Sequence, residues 1–522
     1  MIDWLITDAL IVDGTGAPAF RGNLAIEREK IVAVGQVQDR DARHRIEAQG
    51  KVLCPGFVDM HSHSDVLFLN GSPLDHKILQ GVTTELIGQD GMSLAPLTDS
   101  SLPYMVEMIE PLAGHLEGKW QPWDLNSSFQ VLGERRPRLN VATLVGHCNL
   151  RLAVMGHRME AASPIELRQM GEWLTTALRQ GAVGLSLGLI YPPSSYSNTE
   201  ELISLGRVVK DHDAIIVVHM RNEQEKLFEA LEEMITVGRE SGCKIHISHL
   251  KSLGKTQWGK MDQVLGMFDR AIEQGVNISF DQYPYDAGCT SLSVLLPGWA
   301  VAGGWDEFDR RLKDAETRQK ILSALRSSIE SRGGPAAITL VSLETPENQA
   351  LAGKNLEEIS SGKGLSPEDT ALEILEKERT KAVAIYHSIS EGDVECAMRH
   401  ILHTVGSDGI LGAFPHPRAY GTFPRIIHHF CRRRKLFSLE EAIRRMTAAP
   451  AKRLGLEKRG QIVSGFYADL LLFDPERFKD LATYENPKQL ASGLDWMLVN
   501  GEPVLSEGRI QETGVGKVLR RK

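Results

Sequence analysis

The chain has 522 residues, 42% hydrophobic and 24% charged, with 59 Lys and Arg against 68 Asp and Glu for a formal charge of −9. That length suggests about three domains, or one large α/β barrel with appendages. The acidic balance excludes a general polyanion binder, so no nucleic-acid partner is expected, and the basic run at 432–435 reads as a solvated helix face. No apolar stretch reaches the ~18 residues of a membrane-spanning helix, so no membrane partner is expected. The acidic N-terminus does not have the form of a signal peptide. Six scattered cysteines, none paired as C-x-x-C, fit reduced thiols in a cytoplasmic protein.

The first fifty residues contain short apolar runs at 4–12, 22–27 and 30–34, broken by Gly and Asp turns, which predicts strands. From 56 onward apolar strands alternate with amphipathic helices. The strands fall at 56–61, 83–88, 141–147, 183–188, 215–219, 244–249, 277–283 and 403–408; helical spacing marks 164–180, 223–241 and 258–274. Eight strands alternating with helices predict an α/β fold, a (β/α)8 TIM-like barrel over 56–461. A ninth strand-like run at 381–387 exceeds that count. It is placed, with 286–380, in an insertion before the last barrel strand, where Trp299, Trp305 and the apolar run 292–296 suit a lid or a covering subdomain. Strand-like runs return at 467–473 and 496–499, so 1–55 plus 462–522 are expected to form one small β-sandwich domain.

Barrel active sites gather at the C-terminal ends of strands. A strand through Asp59, His61 and His63 sets these three side chains on one face, and two imidazoles there can ligate one metal. Asp90 follows the second strand, His219 closes the fifth, His249 the sixth and Asp408 the eighth. Four imidazoles and two carboxylates suit zinc, and also cobalt, manganese or iron. By alternation His246 points away from the face shared by Ile245, Ile247 and His249, so it reads as a core or helix-facing histidine. His147, ending the third strand, is a candidate to support a ligand from behind.

These motifs carry a resemblance. GFVDMHSHSD at 56–65, GVTTELIG at 81–88, SLGLIYPPSSYSNTEEL at 186–202, HMRNE at 219–223, HISHLK at 246–251, VGSDG at 405–409 and HPRAYGTFPR at 416–425 resemble the metal-dependent amidohydrolase superfamily, and within it the N-acyl-D-amino-acid deacylases. The resemblance implies a barrel with a β-sandwich from both termini, one or two divalent ions (zinc foremost), ligands His61, His63, His219 and His249, and Asp408 as the catalytic aspartate and a further ligand. The family reads G-N-C-G after the second strand, with the Cys as ligand. This chain reads Gly88-Gln89-Asp90-Gly91, so Asp90 stands in the thiolate's place.

The implied reaction is hydrolysis of the linear amide of a small-molecule N-acyl amino acid, of the D-series by resemblance. Asp408 serves as general base toward water and then as acid toward the departing amine. The substrate's carboxylate calls for a cation, and Arg418 offers a guanidinium fork, with Lys251, Tyr191 and Tyr283 completing the clamp. Two other readings stand beside this one. The first is another amidohydrolase reaction, cyclic-amide hydrolysis or deamination; the fourth strand lacks the lysine that cyclic amidohydrolases carbamylate. The second is a non-catalytic barrel scaffold, for which the missing Cys is the single hint. The sequence does not fix the oligomeric state, and a homo-oligomer is left open.

Overall fold

The structure, a computed structural model, describes residues 2–37 and 41–521. Eight parallel strands, Phe57–Asp59, Val82–Ile87, Asn140–Gly146, Gly184–Gly188, Ile215–His219, Lys244–Ile247, Ile278–Gln282 and His403–Val405, hydrogen-bond in sequence order. The ring closes where the Met60 N–H donates to the Val405 carbonyl and the Asp408 N–H to the His61 carbonyl. Each stretch expected from alternation carries one of these strands. They read as nearly unbroken apolar runs because helices cover the outside of a parallel barrel. Ile245 shows the fit: a Cβ added at Gly238 in the helix Leu227–Ser241 would lie 2.9 Å from its Cγ1.

The helices begin and end where their sequences provide caps. Ser163 accepts from the Glu166 N–H and Glu166 reaches back to the Ser163 N–H, opening Pro164–Gln180; Gly181 closes it at φ +113°. This satisfies donors and carbonyls that the helix itself cannot pair.

Strands from both ends of the chain join in one nine-stranded sheet. The link is antiparallel pairing of Val52–Pro55 with Leu470–Phe473, through Cys54 opposite Leu471. Its core holds Trp4, Ile6, Leu24, Ile26, Leu53, Leu470 and Leu472. Between the seventh and eighth barrel strands lies a separate three-stranded antiparallel sheet, Gly288–Ser291, Val383–Tyr386 and Ile338–Ser342, with Val383–Tyr386 in the middle. Helices Trp305–Leu312, Ala315–Ser331 and Pro367–Glu378 pack beside it around a core of their own that takes in Leu292 and Leu295. Among the described residues no helix is long and apolar enough to cross a membrane.

A buried charge network ties the first and last barrel strands together below the mouth. The Lys77 ammonium, 1% exposed, donates to Asp59 Oδ2 at 2.7 Å and to Ser407 Oγ at 2.9 Å, and lies 3.5 Å from Glu85. Asp59 Oδ1 in turn accepts the N–H groups of His61 and Ser407. Burial works against the ammonium, but Asp59 and Glu85 overcome it and raise its pKa. Removing one partner of a buried charge group strands the others. Lys77→Met is therefore expected to lower unfolding stability by about 3–5 kcal/mol, read as a fall in the thermal midpoint with far-UV circular dichroism retained at low temperature. An unchanged midpoint would show that the network does not brace the mouth.

Candidate active site

The C-terminal mouth of the barrel brings all six expected ligands together, each 6% exposed or less. The chain bends at Met60 and His61 just past the first strand. His61 and His63 thereby face Asp90 and Asp408, while Asp59 faces Lys77, so the three do not share one face. His61 Nε2 lies 3.6 Å from Asp90 Oδ1 and 3.7 Å from Asp408 Oδ1. His63 Nε2 lies 3.6 Å from Asp90 Oδ2 and 3.2 Å from Asp408 Oδ1. On the far side, His219 Nδ1 and His249 Nε2 lie 3.9 and 3.7 Å from Asp90 Oδ1.

Most of these separations are too long for hydrogen bonds. They are near the about 3.4 Å that separates two ligands of one tetrahedral ion with metal–ligand bonds of about 2.1 Å. Both ring nitrogens of His61, Nδ1 of His219 and Oδ1 of Asp90 are buried without a hydrogen-bond partner, a costly arrangement unless an ion accepts them. The donors thus fit a divalent metal. Two triads, His61–His63–Asp90 and Asp90–His219–His249, share Asp90, and a third joins His61, His249 and Asp408. Oδ1 of Asp90 lies nearest His61, His219 and His249 and Oδ2 nearest His63, so the one carboxylate faces both triads.

Backbone strain places three of these groups. Asp90, His249 and Asp408 adopt φ of +55°, +36° and +48°, a region unusual for residues with a side chain and concentrated at functional sites. The turn at His249 corrects the alternation argument. Strand pairing ends at Ile247, and the left-handed residue beyond it separates His249 from Ile245 and Ile247. His246 is not helix-facing: it is fully buried, bonded to Ser279 Oγ at 2.7 Å and Asp281 Oδ2 at 3.0 Å, and Asp281 also accepts the His249 N–H. His147 touches none of the six; it bridges Ser194 and Glu201 behind the loop that carries Tyr191.

The four expected substrate-side residues line one cavity of about 970 Å³ together with His63, Asp90, His219, His249 and Asp408. Arg418 is fully buried, with Nη1 2.9 Å from Asp408 Oδ2, Nη2 donating to the Cys289 carbonyl, and its guanidinium 4.5 Å from the Tyr283 ring centroid. Burial alone would raise the Asp408 pKa, but Arg418 and His61 hold it well below the usual carboxylate range. The Tyr283 hydroxyl is buried and unpartnered; burial pushes its pKa well up, so it stays a donor. Tyr191 bonds Thr290 Oγ1 at 2.8 Å. Lys251 donates to Glu223 at 2.7 Å and lies 2.8 Å from His249 Nδ1.

Glu223 is the site residue that the sequence reading missed. Its Oε1 lies 3.2 Å from His249 Nδ1 and its Oε2 3.8 Å from His219 Nε2, so one carboxylate backs two of the candidate ligands. Burial opposes its charge, yet Lys251 and the two imidazoles bring its pKa down to about 2. Its position four residues past His219 was the available signal.

Residues 45–505 match the family model described as amidohydrolase family. The chain belongs to the amidohydrolase family. It is 33% identical to a D-aminoacylase of Alcaligenes xylosoxydans over 99% of this chain and 98% of that one. It is equally similar, 33%, to an N-acyl-D-glutamate deacylase of the same organism over 100% and 97% of the two chains. Among solved structures, the N-acyl-D-glutamate deacylase of Bordetella bronchiseptica, complexed with zinc and a phosphonate mimic of the tetrahedral intermediate, superposes with a TM-score of 0.86 at 33% identity over 100% of both chains. This amidohydrolase thus falls within the deacylase branch that its motifs resembled.

If Asp90 bridges the two halves of the cluster, its removal should weaken both. Asp90→Ala is expected to lose at least about half of the metal retained after zinc loading and desalting, and most of the rise in thermal midpoint that zinc gives the wild type. Elemental analysis with thermal melts checks this. Full stoichiometry in the variant would remove Asp90 from the ligand set.

Proposed function

We propose that this amidohydrolase is a metal-dependent deacylase that cleaves the amide of N-acyl-D-amino acids to a carboxylate and a free amino acid. The observation that carries the reading is one cavity in which Asp408, held ionised by Arg418, stands beside buried imidazoles of which His219 Nδ1, and both nitrogens of His61 behind them, have no hydrogen-bond partner. Full-length similarity to D-aminoacylase and to N-acyl-D-glutamate deacylase supports the substrate class.

His61, His63, Asp90, His219 and His249, with Asp408, would hold one or two divalent ions, zinc by analogy with the Bordetella enzyme. Such an ion supplies Lewis-acid polarisation of the amide carbonyl and a nucleophilic water near neutral pH. Asp408 takes the proton of the attacking water and returns it to the amine nitrogen as the C–N bond breaks. Arg418 and the free Tyr283 hydroxyl bind the substrate's α-carboxylate, which orients the amide toward Asp408. Glu223 and Lys251 fix the His249 ring from behind. No lysine lies on the fourth strand, Gly184–Gly188, so the ring-opening variant of the chemistry has no residue to carbamylate there. The cysteines are free among the described residues, which suits a reducing, cytoplasmic compartment.

The zinc-loaded protein should release amine from N-acetyl-D-amino acids and not from their L-isomers. Asp408→Asn should lower kcat about 10³-fold, the worth of a well-placed acid–base group, with zinc content measured on the same preparation to separate the lost base from a lost ligand. Turnover of the L-series alone would overturn the stereochemical assignment. Metal-loaded protein with no turnover of either series would overturn the substrate class.

A further inference from the structure

The insertion contributes a cation to the cavity that the chemistry above does not use. Five cationic side chains line the cavity: Arg221, Lys251, Arg332, Arg379 and Arg418. Four have an acidic partner. Arg221 pairs with Glu233 at 3.0 Å, Lys251 with Glu223 at 2.7 Å, Arg379 with Asp309 at 3.3 Å and Arg418 with Asp408 at 2.9 Å. Arg332 has no carboxylate within 4.0 Å among the described residues.

Arg332 follows the helix Ala315–Ser331. Its Nη1 bonds the Ser328 carbonyl and hydroxyl at 3.2 and 2.6 Å, and its guanidinium stands 5.7 Å from the Tyr386 ring centroid. Nε and Nη2 have no protein acceptor among the described residues. Burial draws the Arg332 pKa down, only partly offset by Tyr386, Glu225 and Glu223. Arg332 lines the same cavity as Glu223, His249 and Lys251. The bond to Ser328 alone would make Arg332 a cap on a helix C-terminus, where a cation is favoured. A cap, however, needs neither a place on the cavity wall nor two donors without a protein acceptor. A half-enclosed guanidinium with a free edge is a carboxylate receptor, because its fork pairs two oxygens at once.

We propose that Arg332 binds a second carboxylate of the substrate, so that the preferred substrates are N-acyl amino acids carrying two carboxylates. This rests on the deacylase reading above, in which Arg418 and Tyr283 take the α-carboxylate. The second carboxylate belongs either to an acidic amino-acid side chain or to a dicarboxylic acyl group.

The test uses zinc-loaded wild type, Arg332→Met and Arg332→Lys. Their kcat/KM is measured on N-acetyl-D-leucine, N-acetyl-D-glutamate and N-succinyl-D-leucine, and binding of D-glutamate against D-leucine and of succinate against acetate by calorimetry. The wild type should favour at least one dicarboxylate about tenfold or more in both readouts, the worth of a charge-assisted hydrogen bond. Arg332→Met should collapse that ratio and Arg332→Lys restore part of it. A ratio tied to D-glutamate places the second carboxylate on the side chain; one tied to succinate places it on the acyl arm. A purely capping Arg332 would lower the thermal midpoint and scale all ligands alike. Absence of dicarboxylate preference in the wild type, or its survival in Arg332→Met, overturns the proposal. Absence of all turnover with an Arg332-dependent binding ratio intact would overturn the deacylase reading and leave the anion site standing.

Discussion

The site depends on negative charge held out of water. Asp90 and Asp408, each 5% exposed or less, lie among four imidazoles and one guanidinium. A carboxylate so enclosed persists as an anion only where cations or donors compensate its lost hydration. Arg418 does this for Asp408. For Asp90 no arginine or lysine comes within ion-pair distance among the described residues, and the nearest imidazole nitrogens stand at 3.6 to 3.9 Å. Asp90 therefore has imidazoles alone to compensate its charge among the described residues, and its Oδ1 is buried without a hydrogen-bond partner. A carboxylate presents two hard oxygens, and here Oδ1 faces His61, His219 and His249 while Oδ2 faces His63.

The demand for that geometry explains the backbone. A strand delivers side chains alternately to the two faces of a barrel, which is a poor way to converge six groups on one point. Left-handed residues at Asp90, His249 and Asp408, and the bend after Asp59, break the alternation at four of the strand ends concerned. The unfavourable conformations are held by specific bonds: the Asp408 N–H to the His61 carbonyl, and the His249 N–H to Asp281. The Lys77 network keeps the first and last strands in register beneath them.

This also separates what could be read in the sequence from what could not. The eight strands were legible because their apolar runs and helical intervals follow from burial on both faces of a parallel barrel. The six candidate ligands were legible by their position at strand ends. The face assignments of Asp59 and His249 failed because they extended strand periodicity to residues beside which the backbone turns. Glu223 escaped notice because its spacing from His219 is a weak signal by itself, and only the fold brings it to His249 as well. Arg332 was out of reach for the same reason, since it follows an inserted helix more than 75 positions before Asp408.

The way the insertion meets the barrel bears on whether it works as a lid. Its first strand, Gly288–Ser291, supplies the Cys289 carbonyl that Arg418 Nη2 bonds at 2.9 Å and the Thr290 hydroxyl that Tyr191 bonds at 2.8 Å. Swinging the whole insertion away would break both contacts and leave the Arg418 guanidinium, already buried, short of an acceptor; such losses cost about 1–3 kcal/mol each. The three-stranded sheet is thus part of the fixed wall of the site. Motion that admits substrate is more cheaply placed in the outer pieces, where the residues around Trp305 line the cavity without a side-chain hydrogen bond to the barrel. The barrel then supplies the reacting groups, the inner sheet holds their substrate-side partners, and the inserted helices shape the far end of the cavity.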